Sequence, residues 1–521
     1  MKIKSVLSKL LLVVIILATL ISLYIYSRCH VDDAFITWRY GKNLIEHGVW
    51  GYNNSSIDPT QAYTNPIFAI LGIIPPLMKW DVVLFFKIVS VIIYVTFLIW
   101  TIQVTKKSWH MTLLLFGLPA TVIHAFSGLE TLLFVFLVSV LLVALHRRQF
   151  SLSIVVTLIL FLTRPESWSL GVALPLFWLF VCPENENTGE SLKPRIRRVL
   201  ICALILGIFF SIYFAWHIYL FGSALPNTFY VKSGGEIRLG NIIRFLIFAS
   251  PLLLIFRLRY WPLLGVAAIL FGGMILTYST SQLMMNYASR FAFHIFAPSY
   301  VFGLYLIYQN NSDGYFQKKL TCKVGSTLGQ FCLIKPLLLA VLIVFTFDNK
   351  RTGGFTEIIT WYPRYLTAHA ELGRTIKAVT SKYELKGFSC ADAGMIAYHA
   401  DIVAFDNVGL ASARLARGES IEKLFSVYDN NIIIINTRPT DGLPIMEKFH
   451  QKEIFKWMEN KKFKKVGDLH SIVRVPFAVY ANRDMPEIAE VLKVSRQKND
   501  ITDEQMLKET LLLPPWTYWH E

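Results

Sequence analysis

Eleven apolar segments follow one another between Leu10 and Phe347, and this succession more than anything else limits what the chain can become. They are Leu10–Tyr26, Val82–Val104, Met111–Ala125, Thr131–Leu145, Ser151–Leu162, Trp168–Cys182, Val199–Phe221, Ile242–Phe256, Trp261–Tyr278, Phe291–Gln309 and Phe331–Phe347. Several fall short of the ~20 residues of a straight span, but their number and spacing predict a polytopic α-helical membrane protein with about eleven transmembrane helices. With 54% hydrophobic and 17% charged residues, the 521-residue chain is neither a single water-soluble globule nor disordered.

Charge placement orients the spans. Residues 1–347 carry 27 Lys/Arg against 12 Asp/Glu (+15), residues 348–521 carry 24 against 23 (+1), and together they give the net +16. Lys106-Lys107, His146-Arg147-Arg148, the run from Lys193 to Arg198, Arg257 to Arg259 and Lys318 to Lys323 all fall on the N-terminal side when the N-terminus is cytoplasmic. By the positive-inside rule this predicts a multi-pass inner-membrane protein with its C-terminal region periplasmic. The lysines before Leu10 and the Tyr-Ser-Arg-Cys that follows Ile25 read as a retained signal anchor rather than a cleaved leader. Pro66–Met78 is short and holds Pro75-Pro76, so it reads as a re-entrant or interfacial segment. The basic excess lies in loops and forms no basic face with stacking aromatics, which excludes nucleic acid as a partner. Six scattered cysteines with no CxxC give neither a zinc site nor a disulfide framework.

After Phe347 the composition changes. Lys350–Gly354 reads as a linker, and 348–521 as a soluble α/β domain following a membrane module of 1–347. Helical periodicity at Ala368–Tyr383, strands at Gly387–Ala391 and Ile402–Asp406, and an apolar run at Ile432–Asn436 support this. Asp392-Ala-Gly394 and Asp406-Asn-Val-Gly409 follow strands, where both ligand sites and structural turns occur.

The polar chemistry gathers in the outward loops 28–65, 127–130, 163–166, 223–241 and 279–290. Ionisable groups at membrane depth are costly and mark function. Asp32 and Asp33 open a stretch whose apolar spacing (Phe35, Ile36, Tyr40, Leu44) predicts an amphipathic interfacial helix in the first loop, 28–65. Two adjacent acids serve as an N-terminal cap, or as a general base with a partner. No serine or histidine nucleophile accompanies them. A phosphate leaving group needs no acid to protonate it, so one base and nearby cations suffice. Arg39, Arg164, Lys232 and Arg290 are candidate cations for a phosphate, each also readable as a headgroup-snorkelling side chain. Glu130 sits on a tight hairpin between two apolar segments. Asp32, Asp33 and Glu130 are also candidate oxygen ligands for Mg²⁺ or Ca²⁺, although no cation-loop spacing is present.

Five segments in order carry a resemblance: Asp32-Asp-Ala-Phe-Ile-Thr-Trp-Arg39-Tyr-Gly-Lys-Asn-Leu44, Ala62-Tyr-Thr-Asn-Pro66, Ser127-Gly-Leu-Glu130-Thr131, Leu162-Thr-Arg-Pro-Glu166 and Leu225-Pro-Asn227-Thr-Phe-Tyr230. Together the chain resembles the bacterial GT-C superfamily of glycosyltransferases, in the branch similar to mycobacterial terminal β-arabinofuranosyltransferases. Asp392-x-Gly394-x-Ile396-x-Tyr398 with Asp406-Asn-Val-Gly409-Leu410 is similar to that branch's extracytoplasmic domain. The resemblance implies a GT-C-like fold and an inverting transfer from a polyprenyl-phosphate-linked sugar. The implied acceptor is an envelope glycan such as lipopolysaccharide, a lipid or a protein. Asp32 or Asp33 would be the base, Asp32 the favoured one, and Arg39, Glu130, Arg164, Glu166, Asn227, Tyr230, Lys232 and Arg290 would contact donor or substrate. A lipid-linked-sugar flippase is the alternative, although ionisable residues inside the spans are few (Lys87, His217 and Lys335).

Overall fold

The computed structural model describes residues 2–105, 109–181, 192–232, 237–253, 261–281, 283, 286–312, 338–346, 354–469, 475–500 and 502–512. Among them the N-terminal part is helical throughout, and the C-terminal part is a mixed α/β domain. Among the described residues three helices are long and apolar enough to cross a membrane: Val82–Thr105, Leu192–Phe221 and Trp261–Thr280. A fourth span forms if Trp109–Phe116 and Pro119–Phe126, bent by 59° at their break, count as one. Pro119 supplies no N–H to continue the first helix, and Leu118 before it is extended (φ −62°, ψ 135°). Thr131–His146, Phe150–Phe161 and Leu170–Phe180 are apolar but shorter. The expected segments at 242–256 and 331–347, the linker at 350–354, and the basic runs at 106–107, 257–259 and 318–323 lie wholly or partly outside the described residues.

Pro66–Met78 is two short helices, Pro66–Leu71 and Ile74–Met78. Asn65 Oδ1 accepts from Phe68 N at 2.8 Å, and Pro66 occupies the first turn, where no N–H is needed. Lys87, buried in Val82–Thr105, donates to the carbonyls of Ser27 and Phe126 at 2.8 Å each and also to Cys29. One ammonium thus gathers the ends of two helices and the start of the first loop.

The acidic helix Asp32–His47 does not lie with one face bare. Asp32 and Ala34–Asn43 are all buried, because membrane-side helices cover one face and the C-terminal domain covers the other. On the membrane side Trp38 stacks on Phe86 (centroids 4.5 Å apart), and Gly41 crosses Gly72 so closely that a Cβ would strike backbone. On the domain side Lys42 Nζ donates to Tyr398 O at 2.8 Å and Arg39 Nη2 to Ile402 O at 2.6 Å. The loop after the helix continues the seam. Tyr52 Oη donates to Ala393 O at 2.6 Å, and Asp58 Oδ2 accepts from Ser412 Oγ at 2.7 Å and Tyr428 Oη at 2.9 Å.

The domain's sheet has the order β2-β1-β3-β5-β4, with β1 Gly387–Cys390, β2 Val403–Asp406, β3 Asn430–Asn436, β4 Lys464–Leu469 and β5 Phe477–Ala481. β1 runs parallel to β2 and β3, while β5 is antiparallel to β3 and β4. The isoleucine run of β3 is buried on both faces: Ile432 and Ile434 join the core under helix Trp361–Tyr383, and Ile433 and Ile435 join a second core with Phe425 and Met458.

The two halves meet most tightly at Gly394, where a Cβ would collide with the backbone oxygen and carboxylate of Asp32. Gly394→Ala is expected to destabilise the full-length protein by about 1–3 kcal/mol, the usual cost of overpacking, read as a lower apparent Tm in detergent.

Candidate active site

A cavity of about 440 Å³ opens where the first loop, the 127–130 hairpin, the 163–166 turn, helix Asn227–Lys232 and the end of helix Trp261–Thr280 converge. Of the ten side chains singled out in the sequence, Asp33, Glu130, Arg164, Glu166, Lys232 and Arg290 line it. Trp168, Phe229, Leu276 and Leu283 form apolar wall, and Leu410 reaches in from the C-terminal domain.

Glu130 is the hub. It is 1% exposed, and its Oε1 accepts from Arg290 Nη2 at 2.9 Å and from Arg164 Nη1. Its Oε2 accepts from Asn65 Nδ2 at 2.8 Å. Burial works to protonate it, but Arg290 and Arg164 outweigh burial and hold its carboxyl below the usual range. Arg164 spends its remaining donors on Glu166, Nη2 to Oε1 at 2.7 Å and Nε to Oε2 at 3.1 Å. Arg290 is less committed, with Nε on Thr131 Oγ1 at 3.0 Å and one Nη on Glu130. Lys232 Nζ makes no ion pair or hydrogen bond with protein among the described residues; burial pulls its basicity down, opposed by Asp33 and reinforced by Arg290 and Arg164. Lys232 and Arg290 are therefore the cations left to meet an anion.

Asp33 and Asp32 part company. Asp33 faces the cavity, and its carboxylate accepts no hydrogen bond from the described residues; burial raises its pKa, Lys232 and Arg290 oppose, and Asp392 and Glu130 add to the rise. Asp32 points into the C-terminal domain instead. Its Oδ1 accepts from Met395 N at 2.7 Å and its Oδ2 from Gly394 N at 3.0 Å, while its own N–H donates to Tyr362 Oη at 3.1 Å. Burial and the nearby Asp392 push its pKa up to about 8 against those two N–H groups. Arg39 is also turned away, under the Tyr52 ring. Asn227 Nδ2 holds Gly409 O at 2.7 Å and Leu410 O at 2.9 Å, and Tyr230 is exposed outside the cavity.

Arg290 follows a strained turn in which Ala288 (φ 45°) and Ser289 (φ 53°) are both left-handed without being glycine. His124 Nε2 lies 3.0 Å from Ala288 O, so it is the donor there, and Arg244 Nη2 donates to Ser289 Oγ at 2.5 Å. Sequence reasoning passed over His124, Thr131 and Asn65 as members of this network. Asn65 and Thr131 both lie inside the segments that carry the resemblance, which is the signal the sequence held for them; His124 lies in none.

Asp32, Asp33 and Glu130 do not form a ligand set, because backbone N–H groups occupy Asp32 and arginines with Asn65 occupy Glu130. Glu46, His47 and Asp401 offer three ligand atoms within 4.8 Å of one another, but Asp401 already pairs with Lys377 at 2.9 Å and Lys42 at 3.2 Å.

No family model matches the chain, and no curated protein matches it in sequence. The chain is similar in structure to the oligosaccharyltransferase of Archaeoglobus fulgidus, in the apo form and tethered with an acceptor peptide containing the NVT sequon, with a TM-score of 0.47 and 13% identity in both cases. Each match covers 91% of this chain and 74% of the other. A likeness of this degree carries no functional weight.

Glu130→Ala leaves two buried guanidinium groups under-paired and is expected to cost about 3–5 kcal/mol. Glu166→Ala, which leaves Arg164 its bond to Glu130, should cost clearly less; apparent Tm values of the two variants in detergent make the comparison.

Proposed function

We propose that the protein is a membrane glycosyltransferase that transfers a sugar from a polyprenyl-phosphate donor to an acceptor hydroxyl, with inversion, on the periplasmic face of the inner membrane. The observation that carries this reading is Asp33: a carboxylate without a hydrogen-bond partner among the described residues, facing a cavity that it shares with Lys232 and Arg290. The apolar wall of Trp168, Phe229, Leu276 and Leu283 suits the prenyl chain, as the cations suit the phosphate. The five ordered sequence segments supply the family resemblance.

Asp33 takes the proton of the acceptor hydroxyl as its oxygen attacks the anomeric carbon. The bond from that carbon to the phosphate oxygen breaks, and the polyprenyl phosphate departs with its added negative charge stabilised by Lys232 and Arg290. Arg164, neutralised by two carboxylates, fixes Glu130, which in turn aims Arg290. Asp32 holds the helix that presents Asp33. About eleven spans, a cytoplasmic N-terminus and a periplasmic C-terminal domain complete the proposal, with an envelope glycan, lipid or protein as acceptor.

The test is transfer by the full-length protein in nanodiscs from synthetic polyprenyl-phosphate pentoses and hexoses, alongside mass spectrometry of surface glycans from cells lacking it. Lipid-linked sugar that crosses the bilayer with no new glycosidic bond would instead identify a transporter. Asp33→Asn should lower transfer by about 10²–10⁴-fold with an unchanged apparent Tm. Asp32→Asn keeps only one of two acceptors for Gly394 and Met395, and should lower stability by about 1–3 kcal/mol. A base works only when deprotonated, so the rate should rise with pH through the raised pKa of Asp33. The acidic limb of the pH–rate profile then lies above the ordinary aspartate value of about 4, and Lys232→Met should move it higher still by removing a charge that favours the carboxylate.

A further inference from the structure

Close enough to Asp33 to act on its charge, but outside the lining of the cavity, lies a second group of polar side chains that the reading above leaves unused. β1, β2 and β3 are parallel, so their carboxyl ends share one edge, where open α/β sheets bind ligands. Asp392 stands two residues past β1, and Asn436 is the last residue of β3. Asn436 Nδ2 donates to Asp392 Oδ2 at 3.1 Å. His369, fully buried, directs Nε2 to within 3.8 Å of the same oxygen, and that nitrogen has no hydrogen-bond partner among the described residues. That separation is too long for a direct bond, and a buried polar group in a folded protein nearly always finds a partner. Tyr365 packs edge-on against the His369 ring, with centroids 3.9 Å apart. Asp392 itself is not sealed, since its side chain keeps 24% of its exposure.

We propose that Asp392, with Asn436 and His369 behind it, forms a subsite for a neutral polyhydroxylated acceptor, placed by the C-terminal domain next to Asp33. The subsite rests on the transferase reading above and adds to it the location and chemistry of the second substrate. Charge separates the two substrates. Lys232 and Arg290 make one side of Asp33 cationic, whereas no lysine or arginine pairs with Asp392 among the described residues. Burial lowers the pKa of the His369 imidazole, with Asp392 opposing. A phosphate is repelled from such a place, while a sugar hydroxyl donates to the carboxylate and accepts from the imidazole or amide. The Asp32 clamp fixes the spacing, because its two donors, Gly394 and Met395, lie two and three residues beyond Asp392.

The test uses the full-length protein in detergent, synthetic polyprenyl-phosphate sugars as donors and a panel of octyl glycosides as acceptors. Two rates are read: release of free sugar without acceptor, which reports the donor side and Asp33, and transfer as the glycoside is varied. Read at a pH above the acidic limb, where Asp33 is ionised in both proteins, Asp392→Asn should raise the apparent KM for the glycoside about tenfold while acceptor-free hydrolysis stays within about twofold of wild type. Asn436→Ala should shift it in the same direction by less, and it carries the test if Asp392→Asn does not fold. An unchanged KM, or hydrolysis that falls in step with transfer, overturns the subsite. If the wild-type protein neither hydrolyses nor transfers any donor, it is the transferase reading that fails. Binding of the same octyl glycosides, followed by tryptophan fluorescence, then decides the subsite alone: saturable binding lost in Asp392→Asn supports it, and none by wild type overturns it.

Discussion

The carboxylate of Asp32, held between the N–H groups of Gly394 and Met395, is the contact on which the arrangement depends. It joins a helix entering from the membrane half to the carboxyl edge of the C-terminal domain's sheet, and it does so with a buried acid, a group that is destabilising unless hydrogen-bonded. A helix turns about 100° per residue, so the neighbouring side chain cannot face the same way. Once Asp32 is committed to the domain, Asp33 must look elsewhere, and it looks into the cavity. The acid doublet is thus divided by geometry, one carboxylate held by the C-terminal domain and the other facing the cavity.

A second constraint is the burial of charge around Glu130. Isolated, any of its arginines would be costly at this depth; together with Glu166 and Asn65 they form a network in which each acid has partners. The network consumes Arg164 and leaves Arg290 and Lys232 with unspent capacity. Counting arginines in the loops therefore overstates the cations available to a ligand, since their worth depends on which carboxylates already hold them.

Much of this was legible in the residues. The apolar runs located the helices at 82–105, 131–146 and 261–280, and the loops between apolar runs named six of the charged side chains that line the cavity. The strand readings found β1 and β2, and an apolar run marked β3, but not β4, a largely exposed edge strand, or β5, which lies between β3 and β4. The interfacial reading of Asp32–His47 missed its second cover, because nothing in that stretch reveals that a domain more than 300 residues later will pack on it. His124 reads as one polar residue in an apolar run, and its partner, a backbone carbonyl, has no sequence signature. For Asp392 the turn pattern was visible, but its proximity to the acid doublet arises from tertiary structure alone.

The turn before Arg290 has a consequence for how this chain tolerates change. Ala288 and Ser289 sit in a conformation that glycine would adopt without strain, so replacing either should make the isolated turn easier to form. The same replacement would free the backbone to sample other paths, and the guanidinium that follows would no longer be delivered to one place. Selection for heat resistance and selection for turnover would then pull these two positions in opposite directions, as happens where local strain is retained for precision.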